Sequence, residues 1–140
     1  MHVTIVGQGY VGTSIGSAAL AAGHEILGIE TNKDRLESLA SLDYRVSSNY
    51  HDAKNSEIVI IAVPTPLNSD RLPDITYIES ACNSLVNIIS PGTLIINEST
   101  SFPGTLRKII APILGNQMLY ASAPERIDPG NNVWNIKNTP

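Results

Sequence analysis

An apolar run, Val3 to Val6, stops at a glycine, and the spacing Gly7-x-Gly9-x-x-Gly12 follows at once. Glycines so spaced after a short strand suit the binding of a phosphate. Gly7 allows a tight turn, Gly9 lets backbone approach a pyrophosphate with no Cβ in the way, and Gly12 lets the next helix lie close to the strand. Tyr10 and Val11, inside the turn, belong to the same candidate cofactor site. The helix that starts there presents unpaired N–H groups and the positive end of its dipole to a diphosphate. A second run, Glu25 to Ile29, ends at Glu30, at the distance past the glycines where a carboxylate takes ribose hydroxyls. A carboxylate there repels a 2′-phosphate, so NAD is expected rather than NADP, with Lys33 placed to soften that preference. A solvated strand end or an N-cap is the structural alternative for Glu30, and plain solvation the alternative for Lys33.

The elements that must position these residues alternate. After the first helix and the strand ending at Glu30, Asn32 to Leu42 carries Leu36, Leu39, Ala40 and Leu42 at helical intervals, with Thr31 or Asn32 as N-cap. Tyr44 to Asn55 is polar and irregular, with room for one small strand or helical turn around Val46 and a turn of helix near His51 to Lys54. Glu57 to Val63 (EIVIIAV) is continuous and β-branched, as a central parallel strand buried on both faces should be. Pro64-Thr65-Pro66-Leu67 ends it and forces the chain off the sheet at the carboxyl edge, where open α/β sheets bind ligands. Asp74 reads as an N-cap, and Ile78, Ala81, Cys82, Leu85, Val86 and Ile89 form one helical stripe. Thr93 to Asn97 is the next strand, Pro103 and Gly104 open a helix towards Ala111, and Gln117 to Ala121 is a sixth strand. Six strands joined mostly by helices predict a single-domain α/β fold, a Rossmann-type doubly wound parallel sheet.

Composition narrows the partners. A chain of 140 residues with a net charge of −4 and no basic cluster is one domain without the footprint of a nucleic-acid or anionic-membrane binder. No apolar run approaches a membrane span, and Met1-His2 leads straight into the first strand, so a cytoplasmic protein without a signal peptide is expected. A single cysteine, Cys82, excludes an internal disulfide. It lies on an apolar helical stripe with no adjacent base, which marks a small core residue and not a nucleophile. His2, His24 and His51 show no metal-ligand spacing, and no metal is expected.

Four stretches in order, VTIVGQGYVG, AVPTPL, NESTSFPGT and APERIDPGN, resemble the N-terminal NAD-binding domain of the UDP-glucose/GDP-mannose dehydrogenase family. The form APERIDPGN resembles the branch acting on UDP-N-acetylhexosamines or UDP-hexuronate precursors more than the UDP-glucose branch. The resemblance implies oxidation of a sugar C6 alcohol to a carboxylate in two NAD-dependent steps through a cysteine-bound intermediate. It implies further that Thr100 orients the attacking water and reacting centre, and that Glu125 is the general base of thioester hydrolysis. Val63, Pro64, Thr65 and Pro66 match the segment beneath the cofactor, with Thr65 reaching ribose or nicotinamide, and Thr100 also belongs to the cofactor-binding set. Taken alone, Thr100 reads rather as a cap for the helix after it and Glu125 as an ion-pair partner of Arg126 or another basic residue.

The same resemblance sets residues 1–121 as the NAD-binding domain and 122–140 as a lead-out towards a central helix and a UDP-sugar-binding domain. The active-site lysine, asparagine and cysteine of the family fall beyond Pro140, so the chain is expected to bind cofactor without turning over, and to be part of a homodimer or higher oligomer at full length. A stand-alone NAD-binding module and a β-hydroxyacid-type dehydrogenase domain are the alternative readings.

Overall fold

The computed structural model of the chain describes residues 1–125 and Asn138. Strand β1 (His2–Val6) leads into helix α1 (Tyr10–Ala21), β2 (Glu25–Ile29), α2 (Lys33–Ser38) and β3 (Arg45–Ser47). A 3-10 turn (Tyr50–Asn55) connects to β4 (Ile58–Ile61), then α3 (Thr76–Leu85) and β5 (Leu94–Asn97). A π-helical turn (Leu106–Ile110) runs into α4 (Ala111–Leu114), and β6 (Leu119–Ser122) completes the sheet. The six strands lie in the order β3-β2-β1-β4-β5-β6, and every pairing is parallel. Strand order therefore reverses between β1 and β4, which opens a crevice at their carboxyl ends.

Both faces of the sheet are covered, as parallel pairing demands. On one face Val6, Val59, Ile61 and Ile95 pack against Ile78, Ala81, Cys82 and Leu85 of α3 and against Ile110 and Leu114. Those α3 positions recur every three or four residues, so one stripe of the helix is sealed. Ile78 and Leu85, both fully buried, contribute about 1.5–3 kcal/mol each by leaving water. On the other face Val3, Ile5, Ile26 and Ile60 meet Tyr44 and the Ile15, Ala19 and Leu20 side of α1.

Three elements differ from the sequence-based expectation. The second helix ends at Ser38 and does not reach Leu42, because the chain must turn to bury Leu39 and Tyr44; Asn32 does cap it, accepting the Arg35 N–H at 3.2 Å. Helix α3 starts at Thr76 after an Ile75 cap, and Asp74 instead accepts the Thr76 N–H from two residues upstream. The helix after β5 begins only at Leu106, as a wide turn. Pro112, near the start of α4, has no N–H for the carbonyl four residues back, and the widened turn before it absorbs that lost bond. Residues 126–137, including Arg126 and most of the APERIDPGN stretch, lie outside the described residues, as do 139 and 140.

Candidate functional site

At the end of β1 the backbone swings through Gly7, whose φ of 91° only glycine adopts without strain and whose N–H bonds the Ile29 carbonyl at 2.8 Å. The three glycines have three different reasons to be glycine. A Cβ on Gly7 would lie 2.5 Å from the Ala62 oxygen, and one on Gly12 would lie 1.9 Å from the Gly7 oxygen. Both are required by close backbone packing. A Cβ on Gly9 would meet nothing within 4 Å, so that position faces open space. Gly9 is the N-cap of α1, yet no side chain caps the helix and no acid lies in its first turn. Its first N–H groups therefore point uncompensated into the opening, which suits an anion.

Glu30 completes the rim. Its two carboxylate oxygens accept the Gln8 N–H at 3.2 Å and the Asn32 N–H at 2.9 Å, so the group is oriented by backbone from both sides. The Arg35 Nε donates to the Gln8 carbonyl at 2.9 Å, which brings a guanidinium to the same rim. A cavity of about 590 Å³ opens between these groups and the ends of β1 and β4. Gly7, Gly9, Tyr10, Val11, Glu30, Val63 and Pro64 line it. Gly12 lies beneath the turn, buried. Lys33, Thr65, Thr100 and Glu125 are not among its lining residues; of the basic side chains on α2, it is Arg35 that reaches the cavity.

The far end of the cavity is walled by Tyr50, Tyr77, Ser80 and Ser84. Burial, then the nearby Glu30 and Cys82 groups, push the Tyr50 hydroxyl up to about 12, so it stays a neutral donor. Sequence reasoning missed these residues and missed Gln8, which had been only the spacer in the glycine motif. Gln8 is fully buried. Its Nε2 donates to the Ile5 carbonyl at 2.9 Å and its Oε1 accepts the Tyr44 hydroxyl at 2.7 Å. Gly28 leaves space for the Gln8 side chain and Gly16 for the Tyr44 ring, since a Cβ on either would lie 2.5–2.6 Å from them. Isolated glycines inside a strand and a helix were the available signal.

A second polar cluster sits at the ends of β5 and β6. Asn97, 1% exposed, donates to the Ser99 carbonyl at 3.2 Å and the Ser101 hydroxyl at 3.1 Å. Ser99 in turn donates to the Val63 carbonyl at 2.8 Å, tying this loop to the cavity wall. Thr100 is exposed and caps no helix; the helical segment after it begins at Leu106, with Thr105 at the N-cap position and no side-chain cap hydrogen bond. Glu125 follows β6, half-buried, its N–H 3.4 Å from the Glu98 carbonyl. Burial, and secondly the charge of Glu125, push the Glu98 carboxyl up to about 7.

Cys82 is sealed in the core, and burial raises its thiol to about 12, far from a nucleophile's range. Among the described residues no group of three His, Cys, Asp or Glu side chains is placed to hold a metal ion, and no helix is long and apolar enough to cross a membrane.

The description "UDP-glucose/GDP-mannose dehydrogenase family, NAD binding domain" matches residues 37–140. A UDP-N-acetyl-D-mannosamine dehydrogenase of Pyrococcus horikoshii is 30% identical over 158 residues, covering 93% of this chain and 37% of that protein. A UDP-N-acetyl-D-glucosamine 6-dehydrogenase of Salmonella typhi is 28% identical over 162 residues, covering 99% of this chain and 38% of that protein. The native structure of the UDP-N-acetyl-mannosamine dehydrogenase Cap5O from Staphylococcus aureus superposes with a TM-score of 0.79 at 30% identity, over 93% of this chain and 38% of that one. The chain thus spans little more than a third of the length of these relatives.

Proposed function

The chain belongs to the UDP-glucose/GDP-mannose dehydrogenase family as its NAD-binding domain, and from that premise we propose that it is the cofactor half of a nucleotide-sugar 6-dehydrogenase. In this reading the whole protein oxidises the C6 alcohol of a UDP-N-acetylhexosamine to a carboxylate with two NAD. Residues 1–121 hold the cofactor, 122–140 lead out of the domain, the whole enzyme is a homodimer or larger, and it works in the cytoplasm.

The observation that carries this reading is the Glu30 carboxylate, held by two backbone N–H groups at the rim of a glycine turn whose central Gly9 faces open space. The residues fit NAD. The uncapped start of α1 receives the pyrophosphate, Glu30 accepts from the ribose hydroxyls, and Tyr50 and Tyr77 wall the adenine end. Tyr10, Val11, Val63, Pro64 and Thr65 flank the cofactor's path, Thr65 at the nicotinamide end, and Lys33 lies outside its first contacts. NAD, once bound, supplies the hydride acceptor for oxidation of the alcohol. Thr100 orients the sugar carbon and the attacking water. Glu125 takes the proton from that water as its oxygen bonds to the acyl carbon and the C–S bond to the enzyme's thiol breaks. That thiol is not Cys82, which no substrate can reach.

Calorimetric titration of the chain tests the cofactor half. NAD is expected to bind more tightly than NADP, and Glu30→Ala to weaken NAD while closing the gap. Equal affinities for the two cofactors, or an unaffected Glu30→Ala, would overturn the assignment of Glu30. Turnover with UDP-N-acetylglucosamine or UDP-N-acetylmannosamine by the full-length gene product tests the rest.

A further inference from the structure

Gln8 lies in the turn between Gly7 and Gly9, yet its side chain is fully buried in the core. Its Nε2 donates to the Ile5 carbonyl at 2.9 Å. That carbonyl can only accept, which leaves Oε1 as the end that accepts the Tyr44 hydroxyl at 2.7 Å. Burial pushes the Tyr44 hydroxyl up to about 12, so it stays a donor. The core is hollowed for this pair. A Cβ on Gly28 of β2 would lie 2.6 Å from the Gln8 Cδ, and one on Gly16 of α1 would lie 2.5 Å from the Tyr44 hydroxyl oxygen. Neither glycine has the positive φ that would call for glycine by itself. A strand and a helix thus each forgo a side chain to seat a polar pair where apolar groups of the same shape would serve the fold as well. The main chain of Gln8 meanwhile faces the cavity. Its N–H donates to Glu30 at 3.2 Å and its carbonyl accepts from Arg35 at 2.9 Å. Glycine on either side offers those two peptide units little steric resistance to turning, and the side chain clamped at both ends of its carboxamide supplies the restraint that glycine lacks.

We propose that Tyr44 and the Gln8 side chain are a positioning pair that holds the Glu30 carboxylate in place and thereby sets the preference for NAD over NADP. Glu30 discriminates only while its carboxylate stands where ribose hydroxyls arrive, since that is where a 2′-phosphate would be repelled. The same peptide keeps the Nε edge of Arg35 on the Gln8 carbonyl and away from a phosphate that it could otherwise grip with two parallel bonds. Without the Tyr44 hydroxyl the Gln8 carboxamide loses one of its two clamps, the peptides beside it turn more freely, and acid and base both leave their posts. NAD then loses an acceptor while NADP loses an obstacle. The preference rests on the NAD reading proposed above; the hold on Glu30 does not.

Calorimetric titration with NAD and with NADP, on the parent chain, Tyr44→Phe, Glu30→Ala and the variant carrying both changes, tests the pair. Tyr44→Phe keeps the ring and removes only the hydroxyl. The ratio of the NADP to the NAD dissociation constant should fall about tenfold, the worth of one hydrogen bond to a charged group. A merely structural loss would weaken both cofactors alike, and an unchanged ratio would overturn the proposal. With Glu30 already replaced by alanine, Tyr44→Phe should move the ratio little further, because the two changes act through one contact. An undiminished effect in that background would show that Tyr44 acts by another route and would equally overturn it. Amide NMR reads the hold on Glu30 without any cofactor and reports whether each variant is folded. The Gln8 N–H, which donates to a carboxylate, should move upfield in Glu30→Ala and in Tyr44→Phe, with little further change when the two are combined. A Gln8 resonance unmoved by Tyr44→Phe overturns the proposal whatever the chain binds. A resonance that moves as expected in a chain that binds neither cofactor refutes the NAD reading and the preference built on it, and supports the hold on Glu30.

Discussion

Replacing Gly9 by valine separates folding from binding more cleanly than any other change in the glycine turn. The backbone at Gly9 is extended, with φ −70° and ψ −168°, and a Cβ there meets nothing within 4 Å. The fold therefore loses only the difference between glycine and valine at a helix N-cap, about 1 kcal/mol, which lowers Tm by roughly 4 °C in a chain of this size. The cofactor loses far more. The added methyls occupy the space through which the pyrophosphate approaches the open N–H groups of α1. Forfeiting two charged hydrogen bonds at about 1.5–3 kcal/mol each weakens NAD by about 10²- to 10⁴-fold. Gly12→Ala is the control, because its single methyl would sit 1.9 Å from the Gly7 oxygen and must displace the helix from the strand. It should unfold the domain or melt it far below the parent. Differential scanning calorimetry paired with NAD titration decides the matter. A Gly9→Val chain that binds NAD like the parent, or that is as unstable as Gly12→Ala, would refute the assignment of that open space to the pyrophosphate.

Tyr44→Phe strips the buried Gln8 Oε1 of its donor and should cost about 1–3 kcal/mol in denaturant unfolding, with weaker NAD binding because Gln8 also anchors Glu30 and Arg35 through its backbone; unchanged stability would show that the Tyr44 hydroxyl does not support the turn. Cys82, its thiol pushed up to about 12, should resist a thiol reagent at pH 8 until the protein is unfolded, and immediate stoichiometric labelling of native chain would contradict its burial. Glu98 gives a pH dependence with a definite sign. Its folded pKa of about 7 exceeds the unfolded value, so the folded chain binds the extra proton and stability falls as pH rises from about 4.5 to 7. Glu98→Gln should accordingly raise Tm at pH 8 and leave it nearly unchanged at pH 4.5, and the opposite pattern would show that the carboxylate is stabilised when charged.

The sheet was legible because its signals are strong and local. A β-branched run such as Ile58–Ile61 buried on both faces, and an α3 stripe repeating every three or four residues, admit few other readings. The glycine turn and Glu30 were legible for the same reason, each tied to a strand end. What escaped were residues whose role depends on contacts distant in sequence. Gln8 reads as a spacer until Tyr44, 36 positions later, closes on its side chain. Arg35 and Lys33 are both cationic and two positions apart, and only the fold shows that Arg35 is the one that lines the cavity. Tyr50 sits in a polar stretch without periodicity, and it joins the cavity only because the 3-10 turn lays it against the core below Glu30.

The placement of the two polar clusters carries a consequence for how the domain works. The cavity lies at the β1–β4 reversal, and its polar rim is held mostly by backbone: Glu30 by two N–H groups, Arg35 by the Gln8 carbonyl, and Gln8 by the Ile5 carbonyl together with the Tyr44 hydroxyl. On the reading proposed above, polar groups already held in place lose little freedom on binding, which favours affinity. The β5–β6 cluster is different. Thr100 is exposed and Glu125 half-buried at a strand end, so neither is enclosed by the described residues. The loop that carries Thr100 is tied to the end of β4 by hydrogen bonds from Glu98 and Ser99 to the Ile61 carbonyl and from Ser99 to the Val63 carbonyl, with Asn97 holding Ser99. On the reading proposed above, the preformed cavity fixes where a cofactor ring can lie. Those bonds fix how far Thr100 stands from it, and the distance between hydride acceptor and reacting carbon is thereby set by how the loop after β5 is pinned to the sheet.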